Sequence, residues 1–242
     1  VRHLNESGCH ASNRMSLAGS SLARRLTSSV QNMAYNGEIH CKMDNTVGSL
    51  TQTQRSIIIG TLLGDGYLRI VPGRKDAFLE INHAFSQKEY VDWKYEALKS
   101  LCKSGPISRK GNGTRIAYRF TTRQHPELTE LQTLFYKNGV KRVSQGVALN
   151  PIMLAVWFMD DGSRCRASDV YLNTQQFVQE DQEHCLALLA SLGINASLNR
   201  DKEYWRIRIK KDSLPHFFAT IRKFIIPSMT YKLNHDPVET CS

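Results

Sequence analysis

Two apolar segments of this 242-residue chain end in an Asp-Gly pair, and they hold the residues best suited to chemistry. Residues 58–66 end in Asp65-Gly66, and residues 154–162 end in Asp161-Gly162. Both segments are apolar enough to form buried helices, so each Asp would face the negative end of a helix dipole. A solvated acid before a capping glycine explains a single copy as well. Two copies at equivalent points of a repeat instead favour a bound cation that compensates both carboxylates.

Paired carboxylates suit the hydrolysis of phosphodiesters. Carboxylates hold Mg²⁺ against a phosphate, and the metal neutralises developing charge and acidifies its bound water. Two equivalent acids fit the cutting of both strands of a duplex. The sequence shows no activated Ser or Cys nucleophile, no nucleotide-binding glycine loop and no catalytic triad, which argues against a small-molecule enzyme.

A lysine follows the last predicted helix of each half, Lys141 in the first and Lys232 in the second. A lysine beside a scissile phosphate could stabilise the charged transition state or organise the attacking water. Lys232 lies between Tyr231 and Leu233, and there we favour a functional role. Lys141 aligns less well, so an ordinary exposed lysine explains it equally.

The elements that would position these groups occur twice in the same order. Apolar periodicity, cap residues and strand alternation predict two α-β-β-α-β-β-α units. In the first unit the helices are predicted at 51–64, 87–102 and 126–137, with strands at 67–71, 77–83, 107–110 and 115–123. In the second unit the helices are predicted at 151–160, 179–192 and 213–225, with strands at 163–166, 170–176, 194–200 and 204–210. Units of about 90 residues are small to be stable alone, so we predict a pseudo-twofold α+β arrangement.

The chain therefore divides into five predicted segments. Residues 1–50 are rich in Ser, Asn and Gly without a sustained period, which is typical of a poorly ordered extension. The first half covers 51–142, a linker covers 143–150, the second half covers 151–236, and a tail covers 237–242. The six cysteines form no C-x-x-C pair, which argues against a structural zinc site. No stretch approaches the ~20 apolar residues that span a bilayer, so we expect no membrane partner.

The charge of the chain points to a polyanionic partner. The formal net charge is +10 and the sequence pI is near 9.4. An excess of this size favours nucleic acid, although basic proteins without such a partner also occur.

The predicted hairpin strands present basic side chains on one face. Residues 115–123 and 204–210 alternate between apolar and polar positions, so one face would pack on helices and the other would reach base edges and phosphates. The polar faces of these two strands carry no acid of their own, whereas a merely solvated face would mix both signs. Arg119 and Arg208 are predicted to occupy equivalent hairpins and to address opposite ends of one DNA site. The predicted DNA contacts are Arg69, Arg115, Arg119, Arg123, Asn173, Gln175, Arg206, Arg208 and Lys210.

The chain resembles the single-chain, two-motif LAGLIDADG homing endonucleases. The motifs that carry the resemblance are LLGD at 62–65, WFMDDG at 157–162, LNTQ at 172–175 and MTYKL at 229–233, in this order. The resemblance covers residues 51–236 and omits the N-terminal extension.

The resemblance implies that the two halves form a saddle of antiparallel sheets, with the two motif helices packed together on the pseudo-twofold axis at the central interface. Gly60 and Ala155 would permit close backbone approach. In the second motif Val156 stands where the family has glycine, and Trp157 and Phe158 are bulky. The two helices therefore cannot pack equivalently, and the two cuts could differ in rate.

The resemblance also implies a set of site residues. Asp65 and Asp161 would hold Mg²⁺, or another divalent cation such as Mn²⁺, over the DNA minor groove. Gly64 and Asp160 complete the predicted metal set, with Asp160 as a structural residue or a minor alternative to Asp161. Lys141 and Lys232 would lie near the active sites as catalytic residues.

The implied function is a site-specific double-strand break in a long asymmetric DNA site, made by a monomer with internal symmetry. One rival is an RNA maturase that assists group I intron splicing, with intron RNA as its partner; it would keep the basic saddle without needing the acids. Another rival is a non-catalytic DNA-binding protein of the same fold. Retention of both acids favours the nuclease. The location stays open between an organelle and a bacterial cytoplasm.

Overall fold

The element order predicted from the sequence is present twice in a computed structural model of the chain, which describes residues 48–111 and 113–233. The extension expected before residue 48 and the tail from 237 lie outside the described residues. The helices are α1 Gln52–Leu63, α2 Lys88–Leu98, α3 Pro126–Phe135, α4 Pro151–Asp161, α5 Gln179–Ser191 and α6 Leu214–Ile221. The strands are β1 Tyr67–Arg69, β2 Phe78–Ala84, β3 Ile107–Lys110, β4 Ile116–Thr121, β5 Tyr136–Lys137, β6 Val140–Lys141, β7 Gly162–Arg166, β8 Asp169–Leu172, β9 Ala196–Asp201 and β10 Tyr204–Ile209.

Each half contributes one four-stranded antiparallel sheet, and the two sheets have the same strand order. The orders are β1-β2-β4-β3 and β7-β8-β10-β9. Tyr67 pairs with Glu80 in the first sheet, and Ser163 pairs with Tyr171 in the second. Tyr67 and Ser163 each lie two residues after the Asp of their motif, so Glu80 and Tyr171 occupy equivalent positions. The predicted α+β fold of two pseudo-symmetric αββαββα halves is confirmed.

Helices α1 and α4 pack directly against each other, and two glycines set their separation. A Cβ atom on Gly60 would lie 2.6 Å from the carbonyl oxygen of Met153 and 2.8 Å from the Cβ of Val156. A Cβ on Gly64 would lie 2.4 Å from the Cβ of Asp160. Any larger residue at these two positions would therefore push the helices apart, which places the predicted motif helices at the central interface.

The amino ends of the central helices are capped and joined by side chains. Thr51 and Gln54 form a capping box at the start of α1. At the start of α4 the Asn150 side chain accepts a hydrogen bond from the Met153 amide. The same side chain donates to the Ser56 hydroxyl at 2.8 Å, so one residue caps α4 and ties it to α1.

The alternation predicted for the hairpin strands is confirmed where each strand crosses the helices. Tyr118 and Phe120 of β4 are buried, as are Ile207 and Ile209 of β10. Their neighbours in sequence face away from the core. Among the described residues no helix combines the length and the apolarity that crossing a membrane requires.

The strand predicted at 170–176 is wrong at its carboxyl end. Strand β8 stops at Leu172, although the Asn173 amide still donates to the Asp161 carbonyl oxygen at 3.0 Å. The chain then turns, and the Phe177 amide donates to the Thr174 carbonyl oxygen at 2.9 Å, so Gln175 lies in a turn beyond the sheet.

The helix predicted at 126–137 is also too long. It ends at Phe135, and residues 136–141 form the small hairpin of β5 and β6. Asn138 and Gly139 both have positive φ angles, 54° and 77°, which is the turn that an Asn-Gly pair favours. This hairpin carries Lys141 back toward the first motif. A 3-10 turn over Pro227–Lys232 does the same for Lys232 in the second half.

Candidate functional site

The two motif acids lie at the carboxyl ends of the paired helices. Asp65 follows the last turn of α1, and Asp161 is the last residue of α4. The Asp65 side chain is 51% exposed, whereas Asp161 is half-buried and accepts a hydrogen bond from Gln176 at 3.2 Å. Burial raises the pKa of Asp161 to about 8, and the negative charges of Asp65 and Asp160 add to the effect. The carboxylates are thus close enough to repel each other.

Each predicted lysine reaches the end of the motif helix in its own half. The Lys141 ammonium donates to the Gly64 carbonyl at 2.7 Å and to the Gly66 carbonyl at 2.9 Å. The Lys232 ammonium donates to the Met159 carbonyl at 2.5 Å and to the Asp160 carbonyl at 3.2 Å. The two lysines therefore share one equivalent partner, the carbonyl group of the residue directly before the motif acid.

Both lysines are half-buried, so Lys141 is not the exposed surface lysine that the sequence left open. Burial lowers the pKa of Lys141 to about 8, and the charge of Asp161 offsets part of that effect. Burial also lowers the pKa of Lys232, against the opposing charge of Asp160. The ammonium groups of Lys141 and Lys232 therefore lie near the motif acids and are only partly solvated.

Asp160 is held by a lysine that sequence reasoning missed. Lys94 of α2 is fully buried and donates to both carboxylate oxygens of Asp160, at 2.7 and 3.0 Å. The Lys94 ammonium also lies 3.5 Å from Nε2 of His83 and 4.4 Å from the centre of the Tyr90 ring. Asp160 thus has a cation already provided by the chain.

His83 of β2 connects this buried pair to the first motif. Its Nδ1 lies 3.7 Å from Oδ2 of Asp65, and its Nε2 lies 3.7 Å from Oδ1 of Asp160. Asp65, His83 and Asp160 present ligand atoms within 4.8 Å of one another, as a metal site would. In this cluster the ammonium of Lys94 already neutralises the Asp160 carboxylate.

A signal for Lys94 was present in the sequence. The predicted helix at 87–102 has an apolar face that includes Tyr90, Trp93 and Leu98, and Lys94 lies one turn from Tyr90 on that face. A charged residue on a buried face requires a partner. Its partner lies 66 residues away, in the other half, and no local pattern identifies it.

Gln176 is a second residue that sequence reasoning missed. Its side-chain amide donates to Asp161 and also lies 3.4 Å from the Gly64 carbonyl oxygen. The sequence named Gln175 instead, yet that residue turns away and donates to Asp201 at 3.0 Å. The turn that the Phe177 amide closes on the Thr174 carbonyl oxygen is the reason, because Gln175 and Gln176 lie inside it and not on a strand.

The basic faces of the sheets carry acids from neighbouring strands, which corrects the expectation of an acid-free surface. Glu80 lies 3.4 Å from Arg69 and 3.7 Å from Arg119. Arg208 pairs with Asp169 at 2.6 Å. Alternation along one strand cannot reveal these contacts, because the acids come from β2 and β8.

Arg119 and Arg208 lie on equivalent hairpins, as predicted, but they do not occupy equivalent positions within them. Phe120 pairs with Ile81, and Ile207 pairs with Leu172. Ile81 and Leu172 each follow the equivalent positions Glu80 and Tyr171, so Arg119 corresponds to Arg206. The guanidinium of Arg206 lies over the Tyr171 ring at 3.9 Å, where Arg119 has the carboxylate of Glu80.

The remaining predicted DNA contacts lie at the strand ends. Arg115 and Arg123 flank β4 and are exposed, and Lys210 follows β10 and is exposed. Asn173 lies beside the second motif, with its side-chain amide 3.5 Å from the Ser163 hydroxyl.

The fold and the paired acids are those of a LAGLIDADG protein, and comparison with known sequences agrees. The sequence profile of the LAGLIDADG DNA endonuclease family matches residues 55–217. The chain therefore belongs to the LAGLIDADG DNA endonuclease family, as its motifs predicted.

Two curated relatives and one solved structure place the chain within that family. It is 28% identical over 199 residues to the probable intron-encoded endonuclease 1 of Wickerhamomyces canadensis, covering 76% of this chain and 85% of that protein. It is 25% identical over 213 residues to the cytochrome b mRNA maturase bI2 of Saccharomyces cerevisiae, covering 80% of this chain and 50% of the maturase. The homing endonuclease I-WcaI, solved bound to its DNA recognition sequence, is 26% identical with a TM-score of 0.71, over 78% of this chain and 89% of that one.

Proposed function

We propose that this protein is a homing endonuclease that makes a site-specific double-strand break in DNA, with a divalent cation held by Asp65 and Asp161. The observation that carries the proposal is the pair of carboxylates at the ends of two packed helices, with the pKa of Asp161 raised to about 8. A carboxylate crowded in this way either takes up a proton or binds a cation, and in a nuclease a metal ion would supply the compensating charge.

The residues at this centre fit such an ion. Asp65 and Asp161 would hold it. The carbonyl oxygen of Gly64, also predicted as a ligand, already accepts from the Lys141 ammonium at 2.7 Å, so we assign it no metal-binding role. We assign Asp160 no metal-binding role, because Lys94 occupies both of its oxygens. When bound, Mg²⁺ or Mn²⁺ supplies charge neutralisation at the scissile phosphate and an acidified water.

The lysines complete the centre. Lys141 and Lys232 hold the carbonyl groups at the ends of the motif helices, which fixes the backbone that carries the acids. Their ammonium groups remain beside the carboxylates, where they stabilise the negative charge that develops on a phosphate in the transition state. One lysine serves each acid, which matches two strands to be cut.

The sheets supply the DNA-binding surface. Basic and amide side chains on both sheets bind phosphates and base edges, and the repeat lets one chain address the two ends of an asymmetric site as a monomer. In the free protein Glu80 and Asp169 neutralise several of these arginines. DNA would have to compete with these acids, which favours specific sequences over general phosphate binding.

The proposal is tested with the full chain and a plasmid library that carries randomised duplex inserts. The purified protein is incubated with the library in Mg²⁺, in Mn²⁺ or in EDTA, and the broken ends are sequenced. Double-strand ends at one related set of sequences, present with either metal and absent with EDTA, support the proposal. Asp212→Asn, at an exposed acid, is the matched control for Asp161→Asn. Absence of cutting under all conditions contradicts the proposal.

A maturase is a second candidate, because the chain aligns with a cytochrome b mRNA maturase over 80% of its length. RNA splicing would use the basic surface without the acids. Splicing of a group I intron transcript by the wild type, unchanged in an Asp65→Asn/Asp161→Asn protein, would favour this function. Cutting and splicing together would indicate both.

A further inference from the structure

The buried network of Lys94, Asp160 and His83 joins the two halves of the protein in a single arrangement. Lys94 comes from α2 of the first half, and Asp160 comes from α4 of the second. Lys94 and the Asp160 side chain have no solvent exposure, and His83 is 5% exposed. Breaking a buried charge pair is costly, so the three side chains hold one arrangement.

This arrangement determines which nitrogen of His83 carries the proton. A lysine ammonium has three donors and no acceptor. At 3.5 Å from Nε2, the Lys94 ammonium is placed to donate to that nitrogen. A ring that accepts there carries its proton on Nδ1, which faces the Asp65 carboxylate at 3.7 Å, and the Gln87 side chain is a further hydrogen-bond partner of the ring.

The second half lacks this network. His83 lies three residues after Glu80, and Thr174 lies three residues after the equivalent Tyr171. Thr174 is fully buried and donates to the Gln182 side chain at 3.1 Å. Gly64 occupies the position that corresponds to Asp160, directly before the motif acid. A neutral pair and a glycine thus replace the charged network.

We propose that His83 is a positioning residue for Asp65, fixed by the Lys94–Asp160 pair, and that cleavage of one DNA strand depends on this network whereas cleavage of the other does not. The Nδ1 nitrogen faces the half-exposed Asp65 carboxylate across 3.7 Å and would orient it, and the Lys94–Asp160 pair holds the ring in place. This inference rests on the proposed nuclease function.

The test measures the two strands separately on a cleavage site recovered from the library. A duplex labelled on both strands gives one nicking rate for each, and their ratio is the readout. His83→Leu removes the donor to Asp65 and is expected to slow one strand by about tenfold or more, since outer partners of metal ligands act at that level. His83→Asn keeps an amide donor at the Nδ1 position and is expected to restore most of the wild-type ratio.

His83→Gln and Thr174→Val make the experiment specific. Gln places its amide at the Nε2 position, so it keeps the contact with Lys94 but not the donor to Asp65, and it should behave like Leu. Thr174→Val changes the equivalent buried position of the second half and should leave the ratio unchanged. The double variant Lys94→Met/Asp160→Asn removes both charges together and should shift the ratio in the same direction as His83→Leu.

A purely structural role predicts a different pattern. If His83→Leu lowers both strand rates equally, or if Asn and Gln at this position have the same effect, the inference is overturned. Thermal unfolding of each variant separates loss of fold from loss of positioning. A wild-type protein that cuts neither strand contradicts the proposed function and this inference together, whereas equal slowing contradicts only the inference.

Discussion

Replacing Gly60 with alanine adds one carbon atom at the tightest point between the two central helices. That atom would lie 2.6 Å from the Met153 carbonyl oxygen and 2.8 Å from the Cβ of Val156. Ordinary contact begins near 3.4 Å, so the helices must separate by about 0.8 Å, and neither neighbour is a flexible side-chain end. Overpacking of this kind costs about 3 kcal/mol at the upper end of its range, and the better helix propensity of alanine returns about 1 kcal/mol.

The net loss of about 2 kcal/mol corresponds to a melting temperature lower by roughly 4–8 °C for a domain of this size. Since the same separation moves Asp65 away from Asp161, cleavage should fall by about a hundredfold, as it does for a misplacement near 1 Å. Thermal unfolding and cleavage rates measure the two effects. Gly48→Ala adds the same atom where nothing lies within 4 Å, and it should change neither. An unchanged or raised melting temperature in Gly60→Ala would refute the close helix contact.

Three further predictions follow from the charges at the site and on the sheets. Because the pKa of Asp161 is raised to about 8, the stability of the metal-free protein should fall as the pH rises from about 4 to 8. The increase in melting temperature caused by Mg²⁺ should be larger at pH 8.5 than at pH 6, and Asp161→Asn should remove this dependence on pH. Lys232→Met should slow cleavage by about a hundredfold while DNA binding persists. If a binding assay shows that affinity falls as much as the cleavage rate does, the role of Lys232 in the chemistry is contradicted. Arg119→Ala and Arg206→Ala should each weaken the preference for one base by about 1–3 kcal/mol, at opposite flanks of the DNA site. If profiling on randomised sites shows that both variants change the same flank, the two halves do not bind opposite ends of the site.

The elements that position the acids could be predicted from the sequence because their signals are local. An apolar run that ends in Asp-Gly predicts a buried helix with its acid at the carboxyl end, and α1 and α4 have that form. The repeat of this signal predicts two equivalent sheets, and their strand orders are the same. The turn signal of Asn138-Gly139 is equally local, although the helical pattern at 126–137 favours a longer helix than the structure has.

The buried network could not be predicted, because it depends on contacts between the halves. Lys94 and Asp160 are separated by 66 residues and belong to different motif units. A helical pattern shows that Lys94 lies on an apolar face, yet it gives no partner. The partner is defined only when α1 and α4 have packed and α2 lies across them.

The polar-face residues of the hairpins were predictable as a set but not as equivalent pairs. Alternation identified Arg119, Arg206 and Arg208 correctly as polar-face residues. Which of them correspond depends on strand register, and register is set by pairing between strands that are distant in sequence. The same pairing brings Glu80 and Asp169 onto the basic faces, so the net charge of a strand overstates the charge of the surface.

The central claim is that Asp65 and Asp161 perform the chemistry while other residues bind the DNA. The most direct test measures binding and strand cleavage of one recovered site by the wild type, Asp65→Asn, Asp161→Asn and the control Asp212→Asn, each with Mg²⁺. Both motif variants are expected to bind with an affinity close to that of the wild type, and their double-strand cleavage is expected to fall by about a hundredfold or more. Full double-strand cutting by either motif variant would show that these two acids do not perform the chemistry.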